Sequence, residues 1–288
     1  MAKEHGIRFG PAGIPIQCKG KSTLEGVRCC RVIGLDAMEM EFVRGVRLKD
    51  HDAKEVGKAA SDLNISLSSH APYFVNFCSK DEQKMANSRR HIFQAAKATA
   101  LAGGRITVFH PGFYQGLAQK DAFAIAKKEL IGLVERLKQH GIGTILGAET
   151  VGKKSAFGSL HENIALAEEI EMVEPVLDFS HMVARGDFKL RTKDDYRSVL
   201  EMVEKRLPGY SKHIHCHFSE INFSDKGELN HLPLGTKGVP PFRELMEALA
   251  ENGYSGTVIC ESPKLDFDAQ LMQKHYQQIV KKGGASAD

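Results

Sequence analysis

The chain has 288 residues, 42% of them hydrophobic and 26% charged, with a formal net charge of +3. That length is long for one β-sandwich and ordinary for one (β/α)₈ barrel, and the composition is that of a globular chain with a large core. No apolar run approaches the length of a membrane span, and the six cysteines (Cys18, Cys29, Cys30, Cys78, Cys216, Cys260) form no CxxC pair.

Short apolar or β-branched runs alternate with longer helical stretches. Strands are expected at residues 6–10, 37–43, 65–70, 105–110, 143–149, 175–178, 213–218 and 257–261, with seven helical segments between them and one after the last. Parallel strands need long crossovers, so this alternation reads as eight βα units closing into a TIM barrel. Helix starts support the parse. Ser22 with Glu25, Ser79 with Glu82 and Ser159 with Glu162 fit the capping box, and Thr192 with Asp195 is a looser version. One barrel domain is expected over residues 1–280, with a frayed tail at 281–288. The opening residues lead into an apparent strand without a secretory pattern, and the scattered cysteines read as reduced thiols. Both fit a cytoplasmic protein, expected to act as a monomer and away from membranes.

In this fold the chemistry collects at the C-terminal ends of the strands. Strands three to eight end in His70, His110, Glu149, Asp178, His217 and Glu261. Each is a good metal-ligand type, and His181 and His231 follow in the loops. A rim histidine alone can be a hydrogen-bonded structural residue, and a carboxylate there can simply cap the next helix. Six successive strand ends of this kind are what independent rim residues do not produce. Buried carboxylates also need a cation or a partner. His213, His215 and His217 alternate on one strand face, with His217 nearest the active end, His215 one layer deeper and His213 structural. Imidazole with carboxylate and no thiolate suits zinc, with manganese or iron as alternatives.

These residues carry a resemblance. Ser69-His70-Ala-Pro-Tyr73, Phe109-His110-Pro-Gly112, Glu149-Thr150, Leu177-Asp178-Phe-Ser-His181, His217-Phe-Ser-Glu220, His231-Leu-Pro-Leu-Gly235 and Ile259-Cys-Glu261 resemble, in order, the endonuclease IV family of apurinic/apyrimidinic endonucleases. The resemblance implies a zinc-dependent enzyme of base excision repair, with two or three ions per chain. It cuts double-stranded DNA on the 5′ side of an abasic site and leaves a 3′-hydroxyl. It further implies that His70 and His110 hold one ion, that Glu149 bridges to a second completed by Asp178, His217 and Glu261, and that His181 and His231 hold a third. Glu149 and Glu261 are the catalytic carboxylates of that reading, and Tyr73 falls near the abasic site. The chain departs from the family in its first strand, which lacks a histidine, and in its second, which carries Glu39 and Glu41. It departs again at Leu229, where the family has an aspartate. Glu228 is expected to replace that carboxylate, with Asp225 and Glu220 as further candidates.

Two chemistries compete for this set. A phosphodiesterase would use the whole constellation, with a basic rim for phosphates: Lys19, Lys21, Arg44, Arg47, Lys49, Lys153, Lys154, Arg185, Lys189 and Arg191. A sugar isomerase or epimerase of the related xylose-isomerase-like barrels would need one metal, held by Glu149, Asp178, His217 and Glu261, and would abstract a proton beside a carbonyl. The extra set His70, His110, His181 and His231 separates the two and favours the nuclease.

Overall fold

A computed structural model describes residues 6–18 and 22–285; Lys19 and Lys21 of the expected rim lie outside the described residues. Eight parallel strands form the barrel: β1 (Ile7–Pro11), β2 (Ala37–Glu41), β3 (Ser66–His70), β4 (Ile106–Phe109), β5 (Ile145–Glu149), β6 (Val173–Asp178), β7 (Ile214–Phe218) and β8 (Gly256–Cys260). Each pairs with its sequence neighbour, and β8 returns to β1. The remaining seam between β1 and β2 closes through a parallel bridge of Ala12 with Glu39 and the bond from Gly13 N to Glu39 O at 2.8 Å. Gly10 makes that closure possible, because a Cβ there would sit 2.0 Å from Ala37 O.

Alternation sorts each strand. Outward residues such as Phe109, Leu146, Ala148, Leu177, Cys216, Phe218 and Cys260 join the core shared with the surrounding helices. Ile106, Val108 and Val176 form a separate apolar plug, with Ile145 against it. They alternate with outward neighbours on β4, β5 and β6, so the same inward face carries the apolar plug and, at or just past the strand ends, the polar residues His110, Glu149 and Asp178.

The helices are α1 (Thr23–Val32), α2 (Asp50–Asp62), α3 (Glu82–Leu101), α4 (Gln119–Gln139), α5 (Leu160–Glu169), α6 (Phe179–Arg185), α7 (Lys193–Arg206), α8 (Phe242–Glu251) and α9 (Asp266–Ala285). Full capping boxes form at Ser159 with Glu162 and at Thr192 with Asp195. Ser22 caps α1 by accepting from Glu25 N. The box expected at Ser79 with Glu82 does not form. Asp81 caps α3, its carboxylate accepting from Gln83 N and Lys84 N, while Ser79 accepts from Asp81 N one step earlier. An ionised carboxylate at a helix N-terminus is the stronger acceptor.

Four further features differ from the expectation. The crossover after β6 holds two helices, because Gly186 ends α6 in a left-handed conformation after seven residues. The crossover after β7 begins with an antiparallel ribbon, Glu220–Ser224 against Gly227–Leu232. Helix α9 runs through Ala285, so residues 281–285 of the expected tail are helical. Cys18 and Cys29 are joined in a disulfide, with Cα atoms 6.5 Å apart, which corrects the reading of six reduced thiols. Cys30, Cys78, Cys216 and Cys260 are buried thiols. Among the described residues no helix is long and apolar enough to cross a membrane.

Candidate metal centre

The expected ligands converge at the C-terminal end of the barrel. Glu149, the last residue of β5, lies at their centre and is fully buried. Its Oε2 is 2.9 Å from His70 Nε2 and 2.9 Å from His110 Nε2. Its Oε1 is 3.3 Å from His181 Nδ1 and 3.3 Å from His217 Nδ1. The expected ligand atoms gather in three groups: His70, His110 and Glu149; Glu149, Asp178, His217 and Glu261; and His181, Glu228 and His231, while Glu39, His215 and His217 form a further buried group and His51, Asp52 and Glu55 an exposed one. Glu149 belongs to two of them, which is the bridging place expected for it. His110 and Glu261 each sit one residue past their strands, β4 and β8.

The imidazoles are held by one nitrogen, so that the other is aimed. His70 donates from Nδ1 to Ala71 O at 2.6 Å, and His181 from Nδ1 to Thr150 O at 2.9 Å. His231 Nδ1 is 2.7 Å from Ser219 Oγ. Asp178 does two things at once. Its Oδ1 caps α6 by accepting from His181 N at 2.7 Å, while its buried Oδ2 lacks a hydrogen-bond partner. Buried Glu261 Oε2 also lacks one. So do His110 Nε2, 2.9 Å from Glu149 Oε2, and the pair His217 Nε2 and Glu39 Oε1, 2.9 Å from each other, since neither contact has hydrogen-bond geometry. Such unsatisfied atoms are costly unless a cation meets them, so this donor set fits divalent metal ions.

The charges respond to this crowding. Burial opposes ionisation of Glu149, but His110 and His217 beside it hold its carboxyl well below the ordinary range. Burial opposes protonation of His70, but its bond to Glu149 outweighs that and raises it to about 9.

The third group depends on the ribbon. Ile221 pairs with His231, Asn222 with Asn230 and Phe223 with Glu228, so Leu229 is left out of the ladder as a bulge. Plain alternation would put Glu228 and His231 on opposite faces. The extra residue restores them to one face. Glu228 Oε2 then lies 3.4 Å from His181 Nε2. Gly152 leaves the room, since a Cβ there would be 2.7 Å from Glu228 Oε2 and 3.0 Å from His181 Cδ2. The other two candidates are not in the group. Glu220 is spent accepting from Gly235 N, Lys237 N and Gly238 N, and Asp225 is exposed at the ribbon turn.

A cavity of about 370 Å³ opens onto the cluster, lined by Tyr73, His110, Lys153, Glu228, His231 and Glu261 among others. The Tyr73 ring lies 4.8 Å from that of His70, and its hydroxyl donates to Glu41 Oε2 at 3.1 Å. Burial pushes the Glu41 carboxyl up to about 8. Of the expected rim, Lys153 borders this cavity, while Lys154 is exposed beside it. Arg44 and Arg47 are exposed over a separate hollow next to Glu41. Arg185 is placed otherwise than expected of a rim residue: its guanidinium is buried and donates to Lys153 O, Ala156 O and Tyr114 Oη, and Asp187 pairs with it, so it braces the loop after β5.

Glu39 and Glu41 were legible only as departures on the second strand. Their i,i+2 spacing was the signal that both point inward. Glu39 lies beneath the cluster against His215 and His217.

An uncharacterized protein of Methanocaldococcus jannaschii is 35% identical over 280 residues, covering 97% of this chain and all of that protein. A probable endonuclease 4 of Streptomyces avermitilis is 24% identical over 276 residues, covering 90% of this chain and 86% of that one. The crystal structure of a D-psicose 3-epimerase with D-tagatose, from Clostridium cellulolyticum, superposes with a TM-score of 0.69 at 15% identity, covering 95% of this chain and 99% of that one. That likeness is one of fold alone. Residues 27–280 match the xylose isomerase-like TIM barrel family, and the chain belongs to it.

Proposed function

We propose that the protein is a zinc-dependent phosphodiesterase that cuts double-stranded DNA on the 5′ side of abasic sites, leaving a 3′-hydroxyl, in base excision repair. The observation that carries this reading is the sharing of Glu149 between two ligand groups, with a third group beside them. A single-metal epimerase is served by Glu149, Asp178, His217 and Glu261 alone. It gives no task to His70, His110, His181, Glu228 and His231, which the barrel nonetheless aims at the same space.

His70 and His110 with Glu149 would hold one ion, Glu149 with Asp178, His217 and Glu261 a second, and His181, Glu228 and His231 a third. When bound, such ions polarise phosphoryl oxygens and make water a nucleophile at neutral pH. The protein supplies the rest. Glu149, whose carboxylate belongs to two ligand groups, would be shared by two of these ions. Tyr73 presents a ring at the cavity mouth against which a deoxyribose can lie. Lys153 brings a positive charge to the edge where a phosphate would enter. A cavity of about 370 Å³ takes one sugar–phosphate unit and not a duplex. An abasic nucleotide leaves the helix at the lowest cost, having no base to unstack.

The test is incision of a labelled duplex containing one abasic site by protein reloaded with zinc or manganese. The reading expects a single cut 5′ to the site with a 3′-hydroxyl. No cut, together with conversion of a ketose or aldose, would contradict it and point to the epimerase chemistry.

A further inference from the structure

We infer that Glu39 is a positioning residue, which turns His217 so that Nδ1 and not Nε2 faces the metal centre. The inference rests on the metal-binding part of the proposed function and on neither reaction.

Glu39 and Glu41 are two apart on β2, so both side chains enter the barrel, with Glu39 one layer below. Glu39 is fully buried. An isolated carboxylate there would be severely destabilising. Two hydrogen bonds to Oε2 and one close ion-pair contact at Oε1, from two strands, compensate it. Ser68 Oγ, from β3, donates to Oε2 at 2.7 Å. His215 Nε2, from β7, donates to the same oxygen at 3.1 Å. His217 Nε2, also from β7, lies 2.9 Å from Oε1.

His217 therefore spans two layers. Its Nε2 meets Glu39 below, and its Nδ1 lies 3.2 Å from Glu261 Oε1 and 3.3 Å from Glu149 Oε1 above. His70, His181 and His231 are arranged the other way round, each with Nδ1 on an anchor and Nε2 toward its ligand group. The difference follows from the anchor. Ala71 O and Thr150 O are main-chain acceptors next to their own loops, whereas His217 points inward along a strand and meets a carboxylate from across the barrel. A carboxylate accepts and cannot donate. Carboxylates face both ring nitrogens, so the difference arises on ion binding: an ion held by Glu149 and Glu261 takes the place of the Nδ1 proton, while the proton facing Glu39 stays on Nε2 and leaves the Nδ1 lone pair to that ion.

A glutamine at 39 would change this logic. Its NH₂ turned toward His217 would make Nε2 the acceptor and move the ring proton to Nδ1, where it blocks coordination. Glu39→Gln should weaken binding of one ion roughly 10- to 100-fold and leave the others unchanged. Glu39→Asp keeps the acceptor and should recover most of the loss. The readout is chelator competition on protein carrying zinc.

A measurement on the wild type guards against a variant that does not fold. Two-bond ¹H–¹⁵N imidazole spectra of the zinc-loaded protein should show His217 metallated at Nδ1 with Nε2–H retained. Metallation of His217 at Nε2 would overturn the inference. So would equal ion affinities in Glu39→Gln and wild type, or a uniform weakening of every ion, which is what loss of general stability produces. Neither readout involves turnover, so absence of DNA incision would leave the inference standing, and failure here would leave the proposed reaction untouched.

Discussion

Glu228 Oε2 lies 3.4 Å from His181 Nε2 because the one-residue bulge at Leu229 returns Glu228 to the face of the ribbon that carries His231. The exposed Leu229 cannot coordinate, and the bulge makes its position dispensable. Glu228→Ala should remove one ion per chain and lower incision at least tenfold, while Leu229→Ala should do neither. Elemental analysis and rate measurement on both variants check this. Equal ion content in Glu228→Ala and wild type would remove Glu228 from the ligand set.

Glu149→Gln keeps the side-chain size and removes charge from the one carboxylate shared by two ligand groups. Activity should fall by at least about a hundredfold, with the circular dichroism of the barrel unchanged. Activity retained within about tenfold, about 1.4 kcal/mol in barrier, would contradict the bridging role.

Ion binding should release protons. Without ions, His70 is raised to about 9, so it is protonated at pH 7.5, and a ligand nitrogen must be free. The same shift has a stability consequence. His70 is raised above the ordinary histidine range. Its stabilisation of the ion-free protein is complete below that range and fades as pH rises through about 9. Calorimetry of zinc binding in two buffers of different ionisation enthalpy should give release of at least one proton at pH 7.5, falling off above pH 9. Buffer-independent heats would contradict it.

The two basic residues after β5 and β6 should separate. Lys153→Ala should leave stability unchanged and lower the slope of log affinity against log salt by about one, because it removes a phosphate contact. Arg185→Ala should leave the slope unchanged and cost about 1–3 kcal/mol of stability, because it orphans the buried carbonyl of Ala156 and removes the bond to the part-buried carbonyl of Lys153. Denaturation and binding titrations distinguish them. A changed slope in Arg185→Ala would return that residue to the DNA interface.

The barrel and most of the ligand set were legible because both depend on short-range pattern. Strand period and helix spacing give the βα units, and the C-terminal ends of β3 to β8 then name His70, His110, Glu149, Asp178, His217 and Glu261. What stayed hidden depends on contacts distant in sequence. Glu39 meets His217 across 178 positions, so it read as an odd charge and not as an anchor. Arg185 read as rim because a basic residue in a loop gives no hint of the carbonyls it finds. The Cys18–Cys29 bridge joins a residue ahead of α1 to one within it, and the spacing of the two cysteines does not announce that pairing. Glu228 was reachable from side-chain length and loop position, while the bulge that delivers it was not.

The central claim is that this site is built for more than one ion. It is tested most directly by elemental analysis of protein purified without chelator, counted per chain and matched to activity-based reconstitution. The account predicts three ions per chain at saturation, with the His181–Glu228–His231 ion the first to leave on dilution into chelator. A saturating count of one, held by Glu149, Asp178, His217 and Glu261, would contradict it.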